Sequence, residues 1–425
     1  MKTLHLTSIL FITFCVLLSG CGILDAAPTP TPVPLPPPQY LESALQWLQT
    51  NAVFEKNADW TAIRKEAATI SPDPKTTADT YPAICNALRA LKDGNAFMLV
   101  PSLEIPNFDS GYSTLYPDYK IVADLTPNGP AEKAGLHIGD VIQEQNGHTA
   151  DPYNPDDLWP PCNTKAPDAS PQEKLVVLRD GQSLQITIDK ATMKTDDQMG
   201  QSTGQRLGTD ANGLGYLELA TDSGWPAYPG AVQQLVKKLD ASPVCGWIID
   251  VRRTGGGDIW SYLAGIGPIL GEGDLGGFVY PDGRREPWAY RKGEVLWNGN
   301  RRDESAIDGA IYTPKRVTPV ALLIGPGTQA AGELLVVAFQ GRADVRTFGA
   351  ATRGLPTLIN HTDFSDGTRI FISGAFSYDR KDVIYKGPIA PDVPVETGWS
   401  KFGTDQDPAV QAAVSWLSAQ SACQP

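Results

Sequence analysis

The side chains that carry most covalent chemistry are scarce in this chain, and their positions decide what it can do. Histidine occurs four times, as His5, His137, His148 and His361. A three-histidine metal centre has almost nothing to draw on. The cysteines at 85, 162, 245 and 423 lie far apart and form no C-x-x-C pair, which argues against zinc. No metal and no cofactor is expected. Among the hydroxyls of the C-terminal half, Ser365 and Ser373 have no base within motif reach, Thr328 lies two residues before Ala330 and would point differently, and His361 reads best as an ordinary polar loop residue. The string Gly271 to Gly276 fits G-x-G-x-x-G, but no clear strand precedes it and the chain has 41 glycines, so chance suffices. Trp260, Trp288 and Trp297 read as core packing before they read as a ligand groove.

Three kinds of element must position whatever chemistry exists. From Tyr40 to about Met98 apolar residues recur at helical spacing: Leu41, Ala44, Leu45 and Leu48, then Trp60, Ile63 and Ala67, then Tyr81, Ile84, Leu88 and Leu91. From about 111 to 190 short strands take over. They include Ile121–Leu125 and a hairpin that joins Val176–Arg179 to Leu184–Ile188 through Asp180-Gly181. From about Leu207 strands and helices alternate, with buried-strand runs at Gly215–Leu219, Trp247–Val251 and Val320–Ile324, and a closing helix from Pro408 to Gln420. The fold class is therefore α/β with a β domain and an N-terminal helical domain. The expected divisions are 40–100 helical, 105–192 β and 205–425 α/β core.

Several strings carry a family resemblance. Gly129-Pro130-Ala131-Glu132-Lys133-Ala134-Gly135-Leu136 with Gly139-Asp140-Val141-Ile142 resembles a PDZ domain of the circularly permuted bacterial kind. Residues 150–172, rich in Pro and Asp, depart from that pattern where the peptide groove is normally lined. Ile249-Asp250-Val251-Arg252-Arg253-Thr254-Gly255-Gly256-Gly257 resembles the Asp-Leu-Arg and triple-glycine loop of the carboxy-terminal processing (tail-specific) serine peptidases. Gly327-Thr328-Gln329-Ala330-Ala331-Gly332-Glu333 is similar to that family's nucleophile turn, and Phe348 to Leu355 to the strand and turn that follow it. Asp93-Gly94-Asn95 falls where one branch of the family has Asp-Gly-His. The likeness runs in order over roughly residues 40–400. It implies a spiral ββα core of the kind seen in ClpP and crotonase.

The family's chemistry needs a serine at a helix start, a base to take its proton, and backbone N–H groups to hold the oxyanion. By resemblance the donors are Gly255 or Gly256, and Ala331. The nucleophile position is Ala330, which can neither attack nor give up a proton. One branch takes its base from a lysine about twenty-five residues downstream, which here falls on Leu355. The other takes it from the histidine of Asp-Gly-His, and here that position is Asn95, whose amide is no general base near neutral pH. The residues therefore describe a pseudo-peptidase that binds peptide tails, unfolded protein C-termini or an apolar ligand. The alternatives are an active serine-type endopeptidase with a non-standard site, or an inactivated form of one.

The N-terminus sets the location. Lys2, the apolar run Ile9–Leu18 and then Leu18-Ser19-Gly20-Cys21 resemble a bacterial lipoprotein signal, so 1–20 is read as leader and Cys21 as the lipidated residue. Residues 21–39 are Pro-rich and read as an extended tether. An extracytoplasmic protein lipid-anchored to a bacterial membrane is expected, with one or two disulfides among Cys85, Cys162, Cys245 and Cys423 in any of three pairings. A net charge of −13 argues against a nucleic-acid partner.

Overall fold

A computed structural model describes residues 34–424 except 101–107, 115–120, 127, 150–161, 163–169, 193–201, 209–212, 223–225, 303–306, 308–310, 397 and 399–400. The leader, Cys21, most of the tether and most of the 150–172 segment lie outside the described residues. No described helix is long and apolar enough to cross a membrane.

The N-terminal region folds as α1 (Pro37–Asn51), α2 (Trp60–Ile70) and α3 (Tyr81–Leu91). The stripes seen in the sequence are the buried faces: Leu41, Ala44, Leu45 and Leu48 on α1, Trp60, Ile63 and Ala67 on α2. Helix α1 opens at Pro37, inside the stretch expected to be extended tether, because proline is tolerated in a first turn whose N–H groups have no partner anyway. The strand β1 (Phe97–Leu99) follows. The expected boundary at 100 does not isolate a domain. Strand β1 joins the core sheet, and the helical cluster shares its buried residues with Ile370 and Ile372 of that sheet.

The expected PDZ-like region contains β2 (Val122–Leu125), the single helical turn α4 (Pro130–Lys133), β3 (Val141–Gln145), β4 (Gln172–Arg179) and β5 (Gln182–Asp189). Strands β3, β4 and β5 are antiparallel neighbours, and the β4–β5 turn has Asp180 and Gly181 at φ 49° and 77°, as a two-residue hairpin requires. This unit has its own small core, including Val122, Ala131, Leu136, Val177 and Ile188.

The remainder is two sheets around three helices. In chain order the elements are β6 (Thr203–Leu207), β7 (Leu214–Glu218), α5 (Tyr228–Leu239), β8 (Gly246–Asp250), α6 (Ile259–Leu270), β9 (Gly273–Val279), β10 (Arg285–Arg291) and β11 (Glu294–Trp297). Then come β12 (Val320–Ile324), α7 (Ala331–Phe339), β13 (Val345–Gly349), β14 (Thr357–Asp363), β15 (Arg369–Asp379) and α8 (Pro408–Ser418). Strands β7, β8, β12 and β13 run parallel in that order, with β6 antiparallel on the outer side of β7. Strands β14, β15, β9, β10 and β11 form the second, antiparallel sheet.

The parallel strands are buried on both faces, which is why they read as continuous apolar runs. Leu217, Ile249, Leu322 and Ile324 face the helices α5, α6 and α7, while Tyr216, Ile248, Ala321 and Leu323 face α8. Trp260, Trp288 and Trp297 are in the main core or against it, with Trp260 stacked on Trp297 at 5.2 Å. The G-x-G-x-x-G string is a helix end followed by a bulge in β9 between Asp274 and Gly276, not a nucleotide loop. The cysteines pair as Cys85–Cys162 and Cys245–Cys423. The first ties α3 to the segment beyond β3, and the second ties the start of β8 to the chain's end.

Candidate active site

The carboxyl ends of β8 and β12 converge on one corner. After β12 the chain turns through Gly325 to Gln329 and enters α7 at Ala331. Ala330, at the turn, has φ 48° and ψ −113°. A residue with a Cβ adopts this region at a cost of order 1–3 kcal/mol, so the surroundings must enforce it. They do. The Ala330 N–H donates to Glu333 Oε2 at 3.0 Å, the half of a capping box that needs no hydroxyl at the N-cap. The Gln329 N–H donates to the Thr254 carbonyl at 3.1 Å, and the Gly332 N–H to the Gly255 carbonyl at 3.2 Å. Position 332 must be glycine for that approach, because a Cβ there would lie 2.2 Å from the Thr254 oxygen.

Glu333 organises the corner. Its Oε1 accepts from the Thr352 hydroxyl (2.6 Å) and the Gly354 N–H (2.7 Å), and its Oε2 accepts from the N–H groups of Ala330 and Leu355 (2.9 Å). Burial pushes its pKa up, and these four donors oppose the shift. The side chain is fully buried and holds two loops together, so it is not a reacting group. Thr328 is also spoken for: its hydroxyl donates to the Val251 carbonyl at 2.8 Å and accepts from the Gly325 N–H at 3.1 Å.

Of the three expected oxyanion donors, two are available. The Gly255 N–H is consumed by the Thr221 hydroxyl at 2.9 Å, which corrects its assignment. The loop after β7 delivers that hydroxyl, and nothing in the Gly-Gly-Gly string foretells it. The N–H groups of Gly256 and Ala331 make no hydrogen bond among the described residues. Each is therefore open to a carbonyl oxygen.

The position of the expected base is built by α3 and β1. Helix α3 ends with Lys92 in the left-handed region at φ 53°, and Asp93-Gly94-Asn95 then leads into β1, whose Phe97 pairs with Phe371 of β15. That register sets Asn95 beside Ser373. The Asn95 Nδ2 donates to Thr357 Oγ1 at 3.0 Å and to Ser373 Oγ at 3.4 Å. Ser373 in turn gives its hydroxyl (2.8 Å) and its N–H (2.7 Å) to the two oxygens of Asp93, and the Asn95 N–H reaches Asp93 Oδ1 at 3.0 Å. All four side chains are buried, and burial raises the Asp93 pKa against the pull of its donors.

This network connects to the turn at Ala330 through the Thr352–Thr357 segment. Leu355 gives its N–H to Glu333, Thr357 touches Asn95, and Arg353 bridges the Gln329 side chain and, at 3.3 Å, the Gly94 carbonyl. The structure thus brings Asn95, Ala330, Ala331 and Gly256 into one contact-linked region. Asp93, Ser373 and Thr357 belong to it as well. Asp93 was visible in the Asp-Gly-Asn string, but the hydroxyls had no signal, since a strand pairing over more than 270 residues delivers Ser373. His361 is elsewhere. It is exposed on β14, stacked on Phe371 at 5.4 Å, and four strand residues beyond Thr357, about 13 Å along the chain.

Two backbone N–H groups of the corner, those of Gly256 and Ala331, make no hydrogen bond among the described residues. The side chain at the turn is the Ala330 methyl group, and the two nearby carboxylates are both engaged, Glu333 by four donors and Asp93 by three. Among the described residues no group of three metal-ligating side chains exists.

Comparison with known proteins agrees with this corner. Residues 213–395 match peptidase family S41. That segment is similar to the family over the parallel sheet, α6 and α7. It is 28% identical over 352 residues to the chloroplastic C-terminal processing peptidase of Tetradesmus obliquus, covering 75% of this chain and 68% of the relative. It is also 28% identical over 179 residues to the nisin-resistance protein of Lactococcus lactis subsp. lactis, a match spanning 41% of this chain and half of that protein. In three dimensions it resembles the photosystem II D1 C-terminal processing protease, with a TM-score of 0.57, 21% identity, and coverage of 91% of this chain and 98% of the other. A lipoprotein from Streptococcus agalactiae superposes with a TM-score of 0.55 at 15% identity, covering 91% and 97%. The matched segment contains Ala330, the Gly255–Gly257 loop, Thr357 and Ser373. Asn95 reaches it from outside, through β1.

Proposed function

We propose that this protein is a non-catalytic S41 relative that binds extended peptide tails, with a backbone carbonyl of the tail held by the N–H groups of Gly256 and Ala331. The observation that carries this reading is Ala330. A turn whose strained backbone serves to present a side chain is kept intact by Glu333, Thr254 and Gly332, yet the side chain presented is a methyl group. Asn95 supports it, being wired into a buried amide–hydroxyl–carboxylate network where a base would be needed. The 105–192 region, read as PDZ-like, is a second peptide-binding surface. Lipidation at Cys21 would hold both outside the cytoplasm, against a bacterial membrane.

Amide NMR tests the binding mode. Peptides taken from the C-termini of unfolded proteins, added to the protein lacking residues 1–33, should shift the Gly256 and Ala331 amide resonances and be recovered uncut. Peptides that are cleaved, or that bind with both amides unmoved, would refute the proposal.

A further inference from the structure

One side chain at the Ala330 corner is fixed at one end and unspent at the other. Gln329 immediately precedes Ala330 and is half-buried. Its backbone belongs to the held turn, with its N–H on the Thr254 carbonyl at 3.1 Å. Its side-chain Oε1 accepts from Arg353 Nη1, and Arg353 is braced in turn against the Gly94 carbonyl at 3.3 Å. A guanidinium only donates, so the amide atom facing Arg353 must be the oxygen. The planar NH₂ group then points away from Arg353. It points at the Gly-Gly-Gly loop: a Cβ built on Gly255 would lie 3.2 Å from Gln329 Nε2.

That nitrogen is placed to meet a ligand. Among the described residues it has no hydrogen-bond acceptor, and it is not sealed from solvent. It lies no more than about 7 Å from the Gly256 nitrogen, since only the Gly255 Cα and carbonyl carbon intervene. The space over the loop is open, because a Cβ on Gly256 would meet nothing within 4 Å beyond its chain neighbours. An extended peptide advances about 3.3 Å per residue, so carbonyls on one side of it recur about every 7 Å. A strand with one carbonyl at the Gly256 and Ala331 N–H groups therefore brings its next same-side carbonyl within reach of Nε2.

We infer that Gln329 is a third anchor for the tail. Its Nε2 donates to the backbone carbonyl two residues from the one held by Gly256 and Ala331, and Arg353 is the positioning residue that sets the orientation of the amide. The inference rests on the tail-binding reading above and sharpens its ligand. All three donors address the peptide backbone, so the corner selects an extended segment of variable sequence.

Proton–nitrogen NMR of the full chain with a pool of acetylated random hexapeptides tests it. One titration reads the backbone amides of Gly256 and Ala331 and the side-chain NH₂ pair of Gln329. All three should move together as the pool is added, whereas a side chain that only props the turn would leave the NH₂ pair still. Gln329→Glu keeps an acceptor for Arg353 but turns an oxygen toward the peptide carbonyl, and should weaken apparent affinity by about tenfold. Gln329→Met removes both polar ends at similar length and should weaken it by about threefold or more. Movement of Gly256 and Ala331 with a still NH₂ pair, or an unchanged affinity in both variants, would overturn the role of Gln329 and leave tail binding standing. Backbone amides at 256 and 331 that stay unmoved in the parent would refute the tail-binding reading, and this inference with it.

Discussion

At the scale of single residues the corner is defined by what Ala330 keeps and what it lacks. Its backbone is held at φ 48° by a carboxylate three residues on, and the same carboxylate caps the Gly354 and Leu355 N–H groups. Glu333→Gln would turn an NH₂ group toward donors. It should destabilise the protein by about 3 kcal/mol, measured by denaturant unfolding, since a buried four-donor cage loses acceptors it cannot replace. A loss under about 1 kcal/mol would show that the cage is not what sets the turn. The positions of Ala330 and Asn95 were legible because flanking residues, Gly327 and Glu333 on one side and Asp93 and Gly94 on the other, spell out recognisable strings. The fate of Gly255 was not legible, because the hydroxyl that captures it comes from Thr221, 34 residues earlier in the chain. Nor was the role of Glu333, whose carboxylate ties the turn at Ala330 to the Thr352–Leu355 loop.

At the scale of elements, the question is what docks the N-terminal helices on the core. Besides the apolar contacts with Ile370 and Ile372, Asp366, in the turn between β14 and β15, accepts the hydroxyls of Tyr40 (3.2 Å) and Tyr81 (2.9 Å). Partial burial acts to raise its pKa, but the Thr368 N–H and the hydroxyls of Thr77, Tyr81 and Thr368 prevail and hold the carboxyl below the usual aspartate value. The folded state therefore prefers the ionised form. This contribution is full above the unfolded value of about 4 and is lost as pH falls through the lower folded value. Asp366→Asn should cost about 1 kcal/mol at pH 7, and the gap between variant and parent unfolding should shrink as pH drops from 5 to 3. A gap independent of pH would contradict the assignment. The helices themselves were readable from Leu41, Ala44, Leu45 and Leu48 and from Trp60, Ile63 and Ala67, because amphipathic spacing is local. That β1 crosses to pair with β15 was not readable, since a three-residue strand has too few residues to show a period.

At the scale of the whole molecule, the two disulfides, the shared helical core and α8 hold the two sheets around the corner at Ala330. The order of strings along the chain carried the architecture, since parallel strands buried on both faces, such as Trp247–Val251 and Val320–Ile324, are conspicuous. The disulfide pairing did not show, because four widely spaced cysteines leave three choices until the fold joins the start of β8 to the C-terminus. Vacancy of the site is the central claim, and labelling with a fluorophosphonate probe tests it most directly. The parent protein and the single variants Ala330→Ser and Asn95→His should remain at or near background, while Ala330→Ser combined with Asn95→His should be labelled at a well-defined rate, with the hydroxyl restored on the strained turn and the base beside Ser373 and Thr357. Labelling of the parent protein, or a double variant that folds normally and stays unlabelled, would contradict the account.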